Sequence, residues 1–468
     1  MNRLPSQPEV RRKGRLRWEA TTVVLLSFLV SAVSAVAENW PRFLGPNGDG
    51  SSPETGLIQA LPAQGPRLLW SKPVGTGYGA PSVWGDQLVL HHRLGNHEIV
   101  QALNTDTGKE SWKHESPTEY QDPYGYNNGP RSTPCLTKDR CYTFGVEGRL
   151  LCLDRVSGRL IWERDTAKDW QIPQAFFGVG STPLLEENRL IVMVGGQTNS
   201  GVVAFNAENG KTLWESVGQK NWEGQKKIGW RGEPIVSWQT WEKQASYSSP
   251  VAATIHGQRH ILCLTRQGLV SLDPANGEVR FSFWFRSFAN DSVNAMNPVV
   301  MDDLILISAA YYRVGSVVLR VKPDGRAVEE VWRGTSLETH WMTPILKDGF
   351  LYASSGRNEP DARLRCVEMK TGRVAWDRDE SWQPHSAEQP PVFGRSSFIV
   401  ADNRLIALGE GGLLGLFKLN PEKLEEVSRF QVPDLQYPCW AAPVLSGKRL
   451  FLRNERRLVC YDLALPKP

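Results

Sequence analysis

An aromatic residue that closes a β-rich unit recurs eight times along the chain, and no other feature limits the fold as tightly. The positions are Trp70, Trp112, Trp162, Trp214, Trp284, Trp332, Trp376 and Phe430. Differences between those numbers run from about 42 to 70 residues, and most match the period of four-stranded propeller blades. The unit is clearest in residues 129–162. Four short apolar runs are separated there by turn signals: one opening at Ser132-Thr133-Pro134-Cys135, then 140–144, 149–153 and 159–162. Strand-length runs broken by Gly and Asp predict an antiparallel meander. The third run is apolar on both faces, with Leu151 and Leu153 on one side and Leu150 and Cys152 on the other. Such a sheet cannot stand alone in water and must be sandwiched between neighbours.

Two further signals keep the same spacing. A turn from Asp, Asn or Glu to Gly precedes the aromatic at 104–108, 154–158, 206–210, 273–277 and 368–372. The Asp or Asn bonds backbone two residues on, and the Gly supplies a positive φ. An opening proline recurs as Pro81, Pro134, Pro183, Pro250, Pro298, Pro344 and Pro443, at a strand's first residue, where it is tolerated. The seventh unit, 396–419, lacks both the proline and the turn. The eighth stops before a fourth strand, while residues 67–72 form a fourth strand with no blade before it. The chain therefore reads as an all-β, eight-bladed propeller of four-stranded antiparallel blades. Its N-terminal strand joins the last blade and removes the exposed edge of an open array. Residues 67–468 are one such domain, and 38–66 are an irregular brace pinned by Trp40 and Phe43.

Residues 1–37 have the layout of a signal peptide: a basic segment, the apolar run 20–36, and Ala35-Val36-Ala37. The alternative is an uncut membrane anchor, for which 17 residues lie at the short limit. Export to the periplasm or cell envelope is expected, with membrane contact only through an uncut leader. The chain has 54 basic and 50 acidic residues; the leader holds six and two of them, leaving 48 of each. A mature chain with no net charge has no field to attract nucleic acid. Seven scattered cysteines show no C-x-x-C pair and read as small core residues. A disulfide among Cys135, Cys141 and Cys152 stays open.

In a propeller, the connections from strand four to strand one of the next blade share a face with those between strands two and three. That face surrounds the axial funnel. The register gathers Tyr78, Arg131, Tyr247, Asn294, His340 and Trp440 from the first set. Gln197, Arg266, Tyr311, Arg357, Glu359 and Glu410 come from the second. Converging Arg, Tyr, Asn and His suit a planar anionic ligand or a peptide. The longest interval carries an insertion, 215–246, with Trp222, Trp230, Trp238 and Trp241. A long Trp-rich loop on this face is expected to contact a partner; the alternative is a self-packed loop. His91 and His92 point to opposite faces of a strand, so no metal site is expected. No catalytic constellation can be picked out.

The pattern Ser-x-Pro, two strands, then Gly-x-Leu-x-Cys/Ala-Leu-Asp-x-x-Thr/Ser-Gly-Lys/Arg-x-x-Trp resembles the repeat of pyrroloquinoline quinone (PQQ) enzymes and their relatives. The segments Trp40-Pro41-Arg42-Phe43-Leu44-Gly45-Pro46, Gly129-Pro130-Arg131-Ser132-Thr133-Pro134 and Tyr247-Ser248-Ser249-Pro250-Val251 resemble exported bacterial PQQ-like propellers. So does Ser292-Val293-Asn294. The likeness covers essentially 38–463 and implies two directions. Quinoprotein dehydrogenases hold PQQ and calcium in the funnel, which implies an oxidoreductase of alcohols or sugars with Arg131, Arg266 and Arg357 facing the three PQQ carboxylates. BamB, a propeller of the outer-membrane assembly machine, is a binding scaffold. This sequence lacks the adjacent Cys pair and the C-x-x-C-H haem motif. The expectation is a non-catalytic, monomeric propeller that binds a protein or small ligand through its funnel face.

Overall fold

The structure, a computed structural model, describes residues 39–172, 177–196, 200–222, 246–289, 292–383 and 391–466. Strands pair in chain order into antiparallel sheets of four: blade 1 at 82–117, blade 2 at 135–165, blade 3 at 184–216 and blade 4 at 251–284. Blade 5 lies at 299–334, blade 6 at 345–379 and blade 7 at 396–431. Blade 8 takes three strands from 444–462 and its fourth from Arg67–Pro73, which runs antiparallel to Arg457–Asp462. The expected eight-bladed ring and its closing strand are both present. The third strands are buried on both faces, as Leu150, Leu151, Cys152 and Leu153 show. Outer strands alternate: in Thr212–Ser216 only Trp214 and Ser216 are buried.

The closing tryptophan and the turn glycine of the repeat meet across blades. Trp112 of blade 1 donates its indole N–H to Arg155 O in the blade 2 turn at 2.9 Å, beneath Gly158. Trp70 reaches Thr105 O at 2.9 Å, Trp162 reaches Ala207 O at 3.0 Å and Trp214 reaches Pro274 O at 3.1 Å. Trp332 and Trp376 repeat the contact at Met369 O and Asn420 O. The pattern from turn to tryptophan is therefore a chain of clasps between neighbours. At Gly158 φ is +73°, and an added Cβ would stand 2.4 Å from the Trp112 ring. Gly158→Ala should cost about 1–3 kcal/mol through overpacking and backbone strain. Gly85→Ala, with φ +61° but nothing within 4 Å, isolates the backbone share. Urea midpoints of the two variants test this, and equal losses would refute the clasp.

Two blades depart from the aromatic series. In blade 4 the clasp position, opposite Ser271 at the bulge, holds Phe281. Trp284 lies three residues on, opposite Gly268, and packs on Trp222 with ring centres 5.9 Å apart. In blade 7 the position holds Ser428, opposite Leu416, and Phe430 sits two residues further. The brace takes over there. Leu61 N donates to Ser428 Oγ at 2.7 Å, and Gly65 lies directly on the Phe430 ring.

The brace crosses the axis at the end away from the funnel connections. Trp40 exchanges backbone hydrogen bonds with Val83 of blade 1, and Pro41 O accepts from Leu136 of blade 2. The chain then passes Pro183 and Pro250 of blades 3 and 4. It bonds Val400 of blade 7 through Gly50 and Ser52, and Leu463 beyond blade 8 through Ile58. Trp40 is buried, as expected of a pin.

Candidate functional site

The residue three places before each blade opening faces the axis. In blade order these are Tyr78, Arg131, Gly180, Tyr247, Ala295, Trp341, Arg395 and Trp440, and all eight line one axial cavity of about 190 Å³. Phe43 and Leu44 of the brace line it as well. The residue one place before each opening forms a second ring. Ala80 N donates to Thr133 Oγ1 at 3.1 Å, Thr133 N to Thr182 Oγ1 at 3.0 Å and Thr182 N to Ser249 Oγ at 2.9 Å. Ser249 N continues to Asn297 Oδ1 at 2.8 Å, and Asn297 N to Thr343 Oγ1 at 3.1 Å. Blades 1 to 5 thus each hand one N–H to a side chain of the next, which explains the small polar residues Thr133, Thr182, Ser249, Asn297 and Thr343 ahead of their prolines.

Touching rings run round the mouth. Tyr247, Phe177, Tyr126, Trp440, Trp341, His340 and Tyr311 succeed one another with centroids 4.9–5.8 Å apart. Such spacings are those of favourable tilted and edge-on aromatic pairs. Tyr124 and Tyr126, on the connection into blade 2, are 53% and 55% exposed.

Behind the aromatic wall lies an ion cluster. Arg395 donates through Nε and Nη2 to Glu410 at 3.0 and 2.7 Å, and Nη2 also reaches Glu359. Its Nη1 donates to Arg357 O at 2.8 Å, and its guanidinium lies 4.6 Å from the Trp341 ring centre. Glu410 is fully buried and also accepts from Arg395 N and from the indoles of Trp382 and Trp440. Burial alone would lower the Arg395 pKa; Glu410 and Glu359 outweigh it and hold the group charged. Burial, with Arg395 and Arg357 nearby, keeps the His340 ring well below its usual pKa, hence neutral. Across the cavity, Arg131 pairs with Asp122 at 2.5 Å and donates to Gly129 O and Asn127 O.

Of the residues expected at the funnel, Arg131, Tyr247, Tyr311, His340 and Trp440 line the cavity. Tyr78 lines it too, Glu359 and Glu410 stand behind its wall on Arg395, and three others lie elsewhere. Asn294 donates its amide to Thr265 O and Phe285 O at 2.8 and 3.0 Å, so it staples backbone. Arg266 is buried within blade 4 and is not part of the lining. Arg357 lies over the Tyr311 and Tyr312 rings at 4.3 and 4.8 Å. Trp222, expected in a partner-binding loop, is only 2% exposed and belongs to the core between blades 3 and 4. Gln197, Trp230, Trp238 and Trp241 lie outside the described residues, as does the leader. Sequence reasoning missed Arg395, Trp341, Tyr126 and Phe177. Arg395 had a signal, because Arg395-Ser396-Ser397 repeats Arg131-Ser132-Thr133 without its proline.

The cysteines are free and buried, and burial pushes the Cys135 thiol up to about 11. Among the described residues no three His, Cys, Asp or Glu side chains are grouped to hold a metal ion. The wall does not fit PQQ with calcium. Its two guanidiniums already meet three carboxylates, Asp122, Glu359 and Glu410. Three further carboxylates would be buried without counter-charge. The cavity is also below the roughly 300–1,000 Å³ usual for ligand pockets.

Residues 96–378 match the family described as outer membrane protein assembly factor BamB. A stretch of 88 residues is 33% identical to outer membrane protein assembly factor BamB of Moranella endobia (strain PCIT). That match spans 19% of this chain and 19% of the relative's length. Among solved structures, the quinohemoprotein alcohol dehydrogenase from Comamonas testosteroni is similar with TM-score 0.61 and 13% identity, over 92% of this chain and 81% of that one. BamB from Moraxella catarrhalis is similar with TM-score 0.56 and 12% identity, over 86% of this chain and 99% of its own. At these identities the likeness is one of fold, shared by an assembly factor and a dehydrogenase.

Proposed function

This chain belongs to the family of outer membrane protein assembly factor BamB, and from that premise we propose an exported, non-catalytic propeller that binds a protein partner through its funnel face. The observation that carries the reading is the arc of touching rings at the funnel mouth, with Tyr124 and Tyr126 half-exposed on it. Rigid aromatics at the centre of a face supply contact area at low entropic cost and dominate interface energies. Phe288, 57% exposed on the connection into blade 5, extends the same face. The charged groups under the rings support binding over chemistry, because they are spent on one another. Residues 1–37 serve as the export signal, and the periplasm or cell envelope is the site of action. The quinone-dependent alternative has the likeness of fold alone behind it, and the neutralised arginines of the wall weigh against it.

Photo-crosslinking from single positions in intact cells tests the face. A benzophenone side chain at Tyr126 or Phe288 should capture a discrete protein adduct, and one at Val156 should not. Val156 is 66% exposed in the turn joining the third and fourth strands of blade 2, on the opposite face. Adducts from Val156 alone would overturn the reading.

A further inference from the structure

Below the aromatic rings, the wall of the axial cavity becomes a collar of hydroxyls. Thr133, Thr182, Ser249 and Thr343 all line the space, and each oxygen accepts a backbone N–H from the blade before it. A hydroxyl that accepts still has its own proton to give. Among the described residues none of these four protons has an acceptor. Tyr247 adds a fifth, because its oxygen accepts the Phe177 N–H at 2.8 Å. Each of these oxygens keeps one lone pair beside its proton. The buried Trp341 indole N–H, unpartnered among the described residues, adds a group that can only donate, so the uncommitted polar capacity of the lining is uncharged and richer in donors. Arg131 is tied to Asp122, and two carboxylates share Arg395. A buried anion would find no spare positive charge, and a cation would find mostly donors.

We propose that the axial cavity binds an uncharged, flat group bearing carbonyl-type acceptors, its ring against the aromatic wall and its oxygens at the hydroxyl collar. The proposal rests on the reading that the funnel face is a binding face, and it names the chemistry the face admits. At about 190 Å³ the space suits a single ring system rather than an extended cofactor. The same chemistry comes either from a free small molecule or from an amide or aromatic side chain at the tip of a partner.

Benzamide, benzoate and benzylamine share one ring and differ in the charge of the tip. Titrated into the full chain and followed by ligand-observed saturation-transfer NMR, benzamide should bind at least about tenfold more tightly than either charged probe, the equivalent of roughly 1.4 kcal/mol. Ala442→Leu fills the wall without removing a hydrogen bond and should abolish the signal. Its melting temperature, close to that of the natural chain, confirms an intact ring. Thr343→Val should weaken benzamide about threefold to tenfold, the effect of one neutral hydrogen bond. Benzoate or benzylamine binding as tightly, or benzamide binding untouched by Ala442→Leu, would overturn the proposal. So would no binding at all, which would leave the collar to water. N-acetyl-tyrosinamide displacing benzamide points to a partner's side chain, and failure to displace it points to a free compound; the proposed chemistry stands in both cases. Cross-links at Tyr126 without benzamide binding would sink this proposal and leave the funnel-face reading standing.

Discussion

Glu410→Ala should lower the unfolding free energy by about 3–5 kcal/mol, the largest loss expected from one substitution near the cavity. Glu410 is fully buried and answers the Arg395 guanidinium, the Arg395 N–H and two indole N–H groups. Its removal leaves the buried Arg395 charge to Glu359 alone and orphans three donors together. Urea titration at neutral pH reads the effect as a fall in midpoint with unchanged slope. The double variant Glu410→Leu with Arg395→Met should recover part of the loss, because the two most buried charges leave together and Glu359, nearer the solvent, keeps the Tyr437 hydroxyl as a donor. A loss below about 1 kcal/mol for the single variant would mean that water reaches the cluster and that the wall is less dry than the burial indicates.

The second large effect lies at the seam of the ring. A chain beginning at Val74 loses the strand Arg67–Pro73 and should no longer run as a monomer on gel filtration. Without that strand, Arg457–Asp462 becomes an edge in which Leu458, Val459 and Cys460 are apolar and now fully buried. An unpaired apolar edge templates pairing with other chains. Oligomers or aggregates are the expected product. A monodisperse monomer with native circular dichroism would show that seven complete blades hold the ring without its seam.

The repeat made the ring legible before any coordinates, since turn, proline and aromatic each mark a fixed place in the blade. What the spacing hid was partnership. The turn glycine and the tryptophan look like one motif, yet each serves a different neighbour, and only the closed ring brings Trp112 to Gly158. Blade 4 misled because Trp284 competes with Phe281; the step of four residues from Gly277 was the better guide. Blade 7 misled because its missing clasp is supplied by Leu61, 367 residues away, which no local pattern reports. The sequence brought Arg131, Tyr247, Tyr311, His340 and Trp440 to one axial cavity but did not show which charges there are paired. Arg131 reads as an open cation in sequence and is closed by Asp122, while Arg395, which the sequence reading passed over, is closed by Glu359 and Glu410. The Arg131 pair depends on how one connection folds back on itself, and the Arg395 cluster on loops of blades 6 and 7 meeting.

Arg67 and Asp462 are joined at 2.6 Å although 395 residues separate them in the chain. A ring sewn this way has a timetable. A strand made early waits for one made 395 residues later, and until it is met, every blade already made is part of an open arc with two raw ends. If the leader directs export, the molecule crosses the membrane before the seam exists, and holdase chaperones must shield both ends on the way. Passage to a closed ring is then a single late event, slow because the loop it closes spans almost the whole chain. Quality control that samples the chain before this event sees an aggregation-prone array, and after it a particle whose remaining edges are the short outer strands of its blades.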